Sequence, residues 1–347
     1  MSQGNNGFTR RELGLLSANV AVATMAGGML FPSAARAQQA KAVLGHFGSA
    51  NPQTFGKATG AFQKGFGDKA TSEFVTVSAG PQIVAAMAGN SMDICNIGSS
   101  PMVVAFANNL KMSMVYVEKY ITDSECLAVR TDAGIGSLKD LKGKKIGLPF
   151  NTSVHFAMLA ALDTVGMKAS DVTLINLKPD SILATWKRKD IDATFIWHPV
   201  LADCLADSGK LLFTTGDLVS KGILVFDGII VRNEFKEKYP HLVLSYLKTY
   251  DEICTMYEKN PQGVIDIIGP YLNMKPELAA EYIKTFHSVS PKEMATDKWM
   301  GLPGAKDTGV TQTIVKQAEF LKSQDQLKEI PPSFAPFIDQ SFLAKMV

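Results

Sequence analysis

Asp93-Ile94-Cys95-Asn96-Ile97-Gly98-Ser99-Ser100-Pro101 decides how the chain is read. Its apolar half predicts a short buried strand. Its second half predicts a helix that starts at once, with Ser100 as N-cap and Pro101 in the first turn, where a missing N–H leaves nothing unpaired. Such a start leaves backbone N–H groups free at the positive end of the helix dipole, with the Ser99 and Ser100 hydroxyls beside them. Gly98 lets a ligand come close to the backbone. An oxyanion suits that set, and an ordinary strand-to-helix connection with a Ser-Pro cap reads the same way.

Working outward, Ala42 to His46 and Phe74 to Val77 read as earlier strands, and Ser78-Ala79-Gly80-Pro81 opens a helix by the same device. Downstream come strands Met112–Val117, Ser124–Val129, Val172–Leu177 and Asp190–Trp197. A helix from Val154 to Val165, with Thr152 or Ser153 as cap, makes a second candidate anion site. Strands alternating with helices predict an α/β fold with parallel, doubly wound sheets, in which ligands collect at the carboxyl ends of strands. MDICNIGSSP and IDATFIWHP echo one another: in each an Asp opens an apolar strand that meets a polar residue and Pro. The echo implies two similarly built lobes. Leu224 to Arg232 is apolar except for Asp227, and a carboxylate there is either satisfied by backbone amides or serves a bound cation. The extended runs near Ala128 and Ile230 are expected to connect the lobes. This gives 38–128 with 225–347 as lobe 1, carrying C-terminal helices, and 129–224 as lobe 2.

Residues 1–37 read as an export signal. Arg10-Arg11 precedes a weakly hydrophobic run from Leu13 to Phe31, and Ala35-Arg36-Ala37 is a cleavage pattern. Paired arginines favour the twin-arginine route to the periplasm. Removing these residues leaves a formally neutral chain, which gives nucleic acid no electrostatic footprint. The remaining length exceeds what one hydrophobic core usually holds, so two lobes are the natural expectation. Cys95, Cys126, Cys204 and Cys254 lie far apart among apolar neighbours. They read as buried free thiols, although an oxidising compartment permits a disulfide. Nothing shows metal-ligand spacing, a GxGxxG, a Walker loop or a GxSxG elbow, so no cofactor, metal or catalytic residue is expected.

NIGSSP, SLKDLKGKKIGLPFNTSVHFAMLAAL, NLKPDSILATWKRKDIDATFIWHP and VFDGIIVRNEF, in this order, resemble the taurine-binding periplasmic proteins of sulfonate ABC importers, most strongly from about Ser78 to Phe235. The resemblance implies a two-lobed type II periplasmic binding protein fold, each lobe a parallel-rich sheet flanked by helices, with the ligand cleft between lobes. It further implies a monomer that delivers taurine or a related aminosulfonate to a membrane permease. By position it implies that Ser99 and Ser100 donate to the sulfonate, with Thr152 and Ser153 serving it from the opposite lobe. Asp227 and Glu125 would take the ammonium, and Trp197 would wall the cleft. These roles agree with the chemistry: a sulfonate is satisfied by neutral donors and helix ends, whereas an ammonium needs a carboxylate. His46-Phe47, His198, Gly228 and Pro81-Gln82 depart from the family pattern and bear on the choice of ligand. The competing class is a desulfinase-like enzyme on the same fold, which needs a nucleophilic Cys or His in the cleft. Cys126, beside Glu125, is its candidate.

Overall fold

The computed structural model describes residues 39–347, so the export signal lies outside the described residues. Eleven strands form two sheets: β1 Ala40–Phe47, β2 Ala70–Val77, β3 Ile94–Gly98, β4 Met112–Tyr120, β5 Glu125–Arg130, β6 Lys145–Leu148, β7 Thr173–Asn176, β8 Ala193–Trp197, β9 Gly209–Thr214, β10 Phe226–Arg232 and β11 His287–Ser288. The first sheet runs β11-β4-β10-β3-β1-β2 and the second β7-β6-β8-β5-β9. Read from β2 and from β7 inward, the two orders correspond strand for strand. β3 and β8, the two halves of the sequence echo, hold equivalent places. Each lies between a parallel neighbour and an antiparallel one: β1 and β10 for β3, β6 and β5 for β8. The sheets are therefore mixed and not the parallel-rich ones expected: four pairings are parallel and five antiparallel, four of the five being made by the central strands β5 and β10.

The chain passes from the first sheet to the second between Tyr120 and Glu125 and returns between Thr214 and Phe226. Backbone bonds tie the two crossings together, Ile121 N to Val225 O at 2.9 Å and Gly216 N to Thr122 O at 2.9 Å. This differs from the connections expected near Ala128 and Ile230. Both of those runs are inner strands, β5 lying whole in the second sheet and β10 in the first. The reason is burial: a run apolar on both faces is a central strand covered on both sides, whereas a crossing at the surface tolerates Thr122, Asp123 and Ser124.

The first lobe packs its sheet against helices Pro52–Thr59, Ala61–Phe66, Pro240–Lys259 and Gly309–Ser323 around one continuous core. In the helix Pro240–Lys259, Leu242, Val243, Tyr246, Leu247, Tyr250, Ile253 and Tyr257 are buried, as their helical spacing predicts. The second lobe buries apolar side chains on both faces of its sheet. Trp186 is completely buried in one of those layers and donates Nε1–H to Asp207 O at 2.8 Å. Trp186→Phe keeps the ring but orphans that carbonyl, and should lower unfolding stability by about 1–2 kcal/mol in a urea titration. All four cysteines are free and buried.

Candidate functional site: an enclosed cleft between the sheets

Three helices begin at the cleft without a side-chain cap: Gly80–Ala88, Ser99–Ala107 and Ser153–Thr164. The leading residues Gly80, Gly98, Thr152 and Ser153 line a cavity of about 100 Å³. The first-turn N–H groups of these helices make the anion-favouring part of the site. A fourth start, at Pro52, is closed by Asn51, whose side chain accepts from Thr54 N.

Five of the seven residues expected at the site line this cavity: Glu125, Thr152, Ser153, Trp197 and Asp227. Ser99 and Ser100 do not offer their hydroxyls to it. Ser99 Oγ accepts from Gln317 Nε2 at 2.9 Å, and Ser100 Oγ donates to Thr152 O at 3.2 Å, which ties the lobes together. The cause is a helix that begins earlier than its Ser-Pro signature implies. Gly98 is the N-cap and Ser99 already helical, so Pro101 falls third and both serines turn toward their own packing. Thr152 holds the N-cap position, but its hydroxyl donates to Pro149 O at 2.6 Å. Of the two departures at histidine, His46 lies outside the cavity, among Thr54, Lys57 and Thr76, while its neighbour Phe47 lines it. His198 does line it, with Nε2 3.7 Å from Glu281 on the opposite lobe.

The structure adds residues that sequence reasoning missed. Glu118 and Lys119, at the end of β4, face the cavity together with Asn96, and Tyr282, Thr285 and Phe286 close it from the C-terminal helices. Glu118 and Lys119 are the only charged residues in an otherwise apolar strand, and that was the available signal. Lys119 Nζ lies 3.4 Å from Asp227 Oδ2, its register partner on β10, and 5.7 Å from the Phe286 ring centre. Ser153 Oγ donates to Glu125 Oε1 at 2.5 Å. Burial, reinforced by the Asp227 charge, pushes the carboxyls of Glu118 and Glu125 each up to about 8. Burial also raises Asp227, against the pull of Lys119. Burial works against the charge on Lys119, yet Asp227, Glu118 and Glu125 together hold its ammonium above the ordinary lysine value. Three carboxyl groups thus surround a single lysine, Glu118 and Glu125 held protonated near neutral pH, and a further positive group brought into the cavity would favour their ionised forms.

The NMT1/THI5-like family matches residues 75–262. The chain belongs to that family. Among curated relatives, the taurine-binding periplasmic protein of Escherichia coli K12 is 28% identical over 314 residues, covering 89% of this chain and 94% of that protein. Among solved structures, the alkanesulfonate-binding protein SsuA of Xanthomonas axonopodis pv. citri, bound to MOPS, superposes with a TM-score of 0.76 at 20% identity, covering 87% of this chain and 99% of SsuA. The desulfurization enzyme DSZB shares the fold more distantly, with a TM-score of 0.62 at 13% identity over 89% of this chain and 99% of the enzyme.

The cysteine of the enzymatic alternative sits differently from a nucleophile. Cys126 does not line the cavity, its thiol donates to Asp123 O at 3.2 Å, and burial, together with Asp123, Glu125 and other acids, pushes it up to about 12. A thiol raised in this way has little thiolate, the form that acts as a nucleophile, at neutral pH.

Proposed function

We propose that the chain is the substrate-binding protein of an ABC importer, a monomer that captures taurine or a closely related small aminosulfonate in the periplasm and presents it to the membrane permease. The observation that carries this reading is the charge content of one cavity. Uncapped helix starts and three carboxyl groups around a single lysine line the same small space. A zwitterion with a sulfonate and an ammonium only a few bonds apart answers both. Size agrees: a single water occupies at least ~10–15 Å³ of such space, so about 100 Å³ admits a molecule of several non-hydrogen atoms. Export, read from Arg10-Arg11 and the Ala35-Arg36-Ala37 pattern, places the protein where such a ligand is met. The high pKa and position of Cys126 favour binding over a cysteine-based desulfinase.

Titration calorimetry with taurine and with isethionate, which replaces the ammonium by a hydroxyl, tests the reading across pH 5–8. In the free protein Glu118 and Glu125 still hold protons in that window, and an arriving ammonium favours their ionised forms, so protons leave on binding. Taurine affinity should therefore rise with pH, by up to about tenfold per unit for each proton released. Isethionate affinity should fall over the same window, because each ionising carboxyl adds negative charge beside an anion. A silent titration with taurine alongside tight isethionate binding would remove the aminosulfonate from the proposal.

A further inference from the structure

We infer that Glu118 is the residue that makes the cavity choose amine-bearing over amine-free sulfonates, its carboxylate taking the ligand's ammonium. The inference rests on the aminosulfonate reading above and deepens it. Its basis is a β-bulge. In the β4–β10 pairing Asp227 stands opposite Lys119 and Gly228 opposite Val117, so Glu118 is the extra residue of the bulge. In a regular strand Glu118 and Lys119 would point to opposite faces of the sheet. A bulge re-aims a side chain, and here both residues line the cavity. Gly228 lies opposite the bulge, where a Cβ would stand 3.2 Å from Met114 Sδ.

The three carboxylates of the cavity then differ in what they have left to give. Asp227 has Lys119, and Glu125 has one oxygen on Ser153. Glu118 is 1% exposed, and neither of its oxygens has a hydrogen-bond partner among the described residues. Asn96 and Tyr250 lie beside it outside hydrogen-bonding geometry. A buried carboxylate without a partner is costly, and an ammonium able to donate to both oxygens removes that cost. Lys119 Nζ makes its ion pair with Asp227 and acts on Glu118 only through its charge, without a hydrogen bond to it. The site therefore takes a primary ammonium carried a short distance from a sulfonate, and a hydroxyl in that place leaves Glu118 unsatisfied.

The test is calorimetry on the wild type, Glu118→Gln, Glu118→Asp and Asp227→Asn, each titrated with taurine and isethionate at pH 8. Glu118→Gln should weaken taurine on the order of 100-fold, the loss typical of a buried hydrogen bond to a charged group. Isethionate binding should stay within about twofold, which also reports a folded cavity. Glu118→Asp should recover part of the preference for taurine. Retention of the wild-type taurine-to-isethionate ratio in Glu118→Gln, with its loss in Asp227→Asn, would overturn the assignment and return the role to Asp227 while leaving the aminosulfonate reading intact. A wild type that binds isethionate but not taurine would overturn both, and the wild-type titrations alone reveal that case.

Discussion

Lys119→Met is expected to destabilise the free protein by about 3 kcal/mol at pH 8 and by much less at pH 5. Lys119 and Asp227 are a largely buried pair, and removing the ammonium leaves Asp227, Glu118 and Glu125 as three carboxylates with no internal cation. The pH dependence follows from the direction of the shifts. Glu118 and Glu125 have folded-state pKa values raised to about 8. Such groups lower stability progressively as pH rises through the window in which the unfolded chain has lost its protons and the folded one still holds them. The penalty is absent below the unfolded carboxyl pKa of about 4, grows as pH rises, and is complete above the raised folded value. Without Lys119 those values rise further and the slope steepens. Thermal midpoints of wild type and variant, measured from pH 5 to pH 9, should diverge as pH rises. Parallel curves would mean that Lys119 is not the counter-charge of the cavity.

Gly98→Val should weaken ligand binding roughly 5- to 150-fold with little loss of stability. A Cβ at Gly98 would already lie 3.2 Å from Ser153 Cβ, 3.3 Å from Ser153 Oγ and 3.5 Å from Asp227 Oδ1. Gly98 belongs to the first lobe and Ser153 to the second, so the two methyls of valine must push the helix starts apart or enter the space of the ligand. Its backbone, with φ −61° and ψ 146°, accepts any residue, so the penalty is steric closeness and not strain. Overpacking of this kind costs about 1–3 kcal/mol. In a two-lobed protein whose cleft closes on its ligand, that energy appears as affinity. Calorimetry with taurine gives the affinity loss, and small-angle scattering with ligand present should show a less compact particle than the wild type. An unchanged affinity would mean that Gly98 and Ser153 do not close on the ligand.

What the sequence disclosed and what it hid divide along one physical line. Strands and helix starts were legible because they rest on local signals. The apolar run Ile94–Ile97, the Ser-Pro pair and the NTS stretch ahead of Val154 place elements whatever the rest of the chain does. Trp197, Thr152, Ser153, Glu125 and Asp227 came together in the cavity because each sits at an element end facing the cleft. The serine hydroxyls turn from the cavity because the helix starts two residues earlier than the Ser-Pro pair implies, and they bond to Gln317 and Thr152, partners far along the chain that no local signal discloses. Glu118 and Lys119 stayed hidden because strand alternation forbids adjacent residues from sharing a face, and only the pairing with β10 creates the bulge that permits it. Tyr282, Thr285 and Phe286 read as one more helical stripe, since nothing local distinguishes a core face from a lid over a cleft. The connections between lobes were sought in the longest extended runs, whereas burial made those runs central strands and left the crossing to short polar segments.

A crystal structure of the protein grown with taurine bears most directly on the central claim. The account predicts one molecule in the cleft, its sulfonate oxygens on the backbone N–H groups where the helices at Gly80, Ser99 and Ser153 begin, and its nitrogen within hydrogen-bonding distance of Glu118. A cleft that stays free of taurine at saturating concentration, or a taurine bound with its sulfonate against the carboxylates, would contradict it.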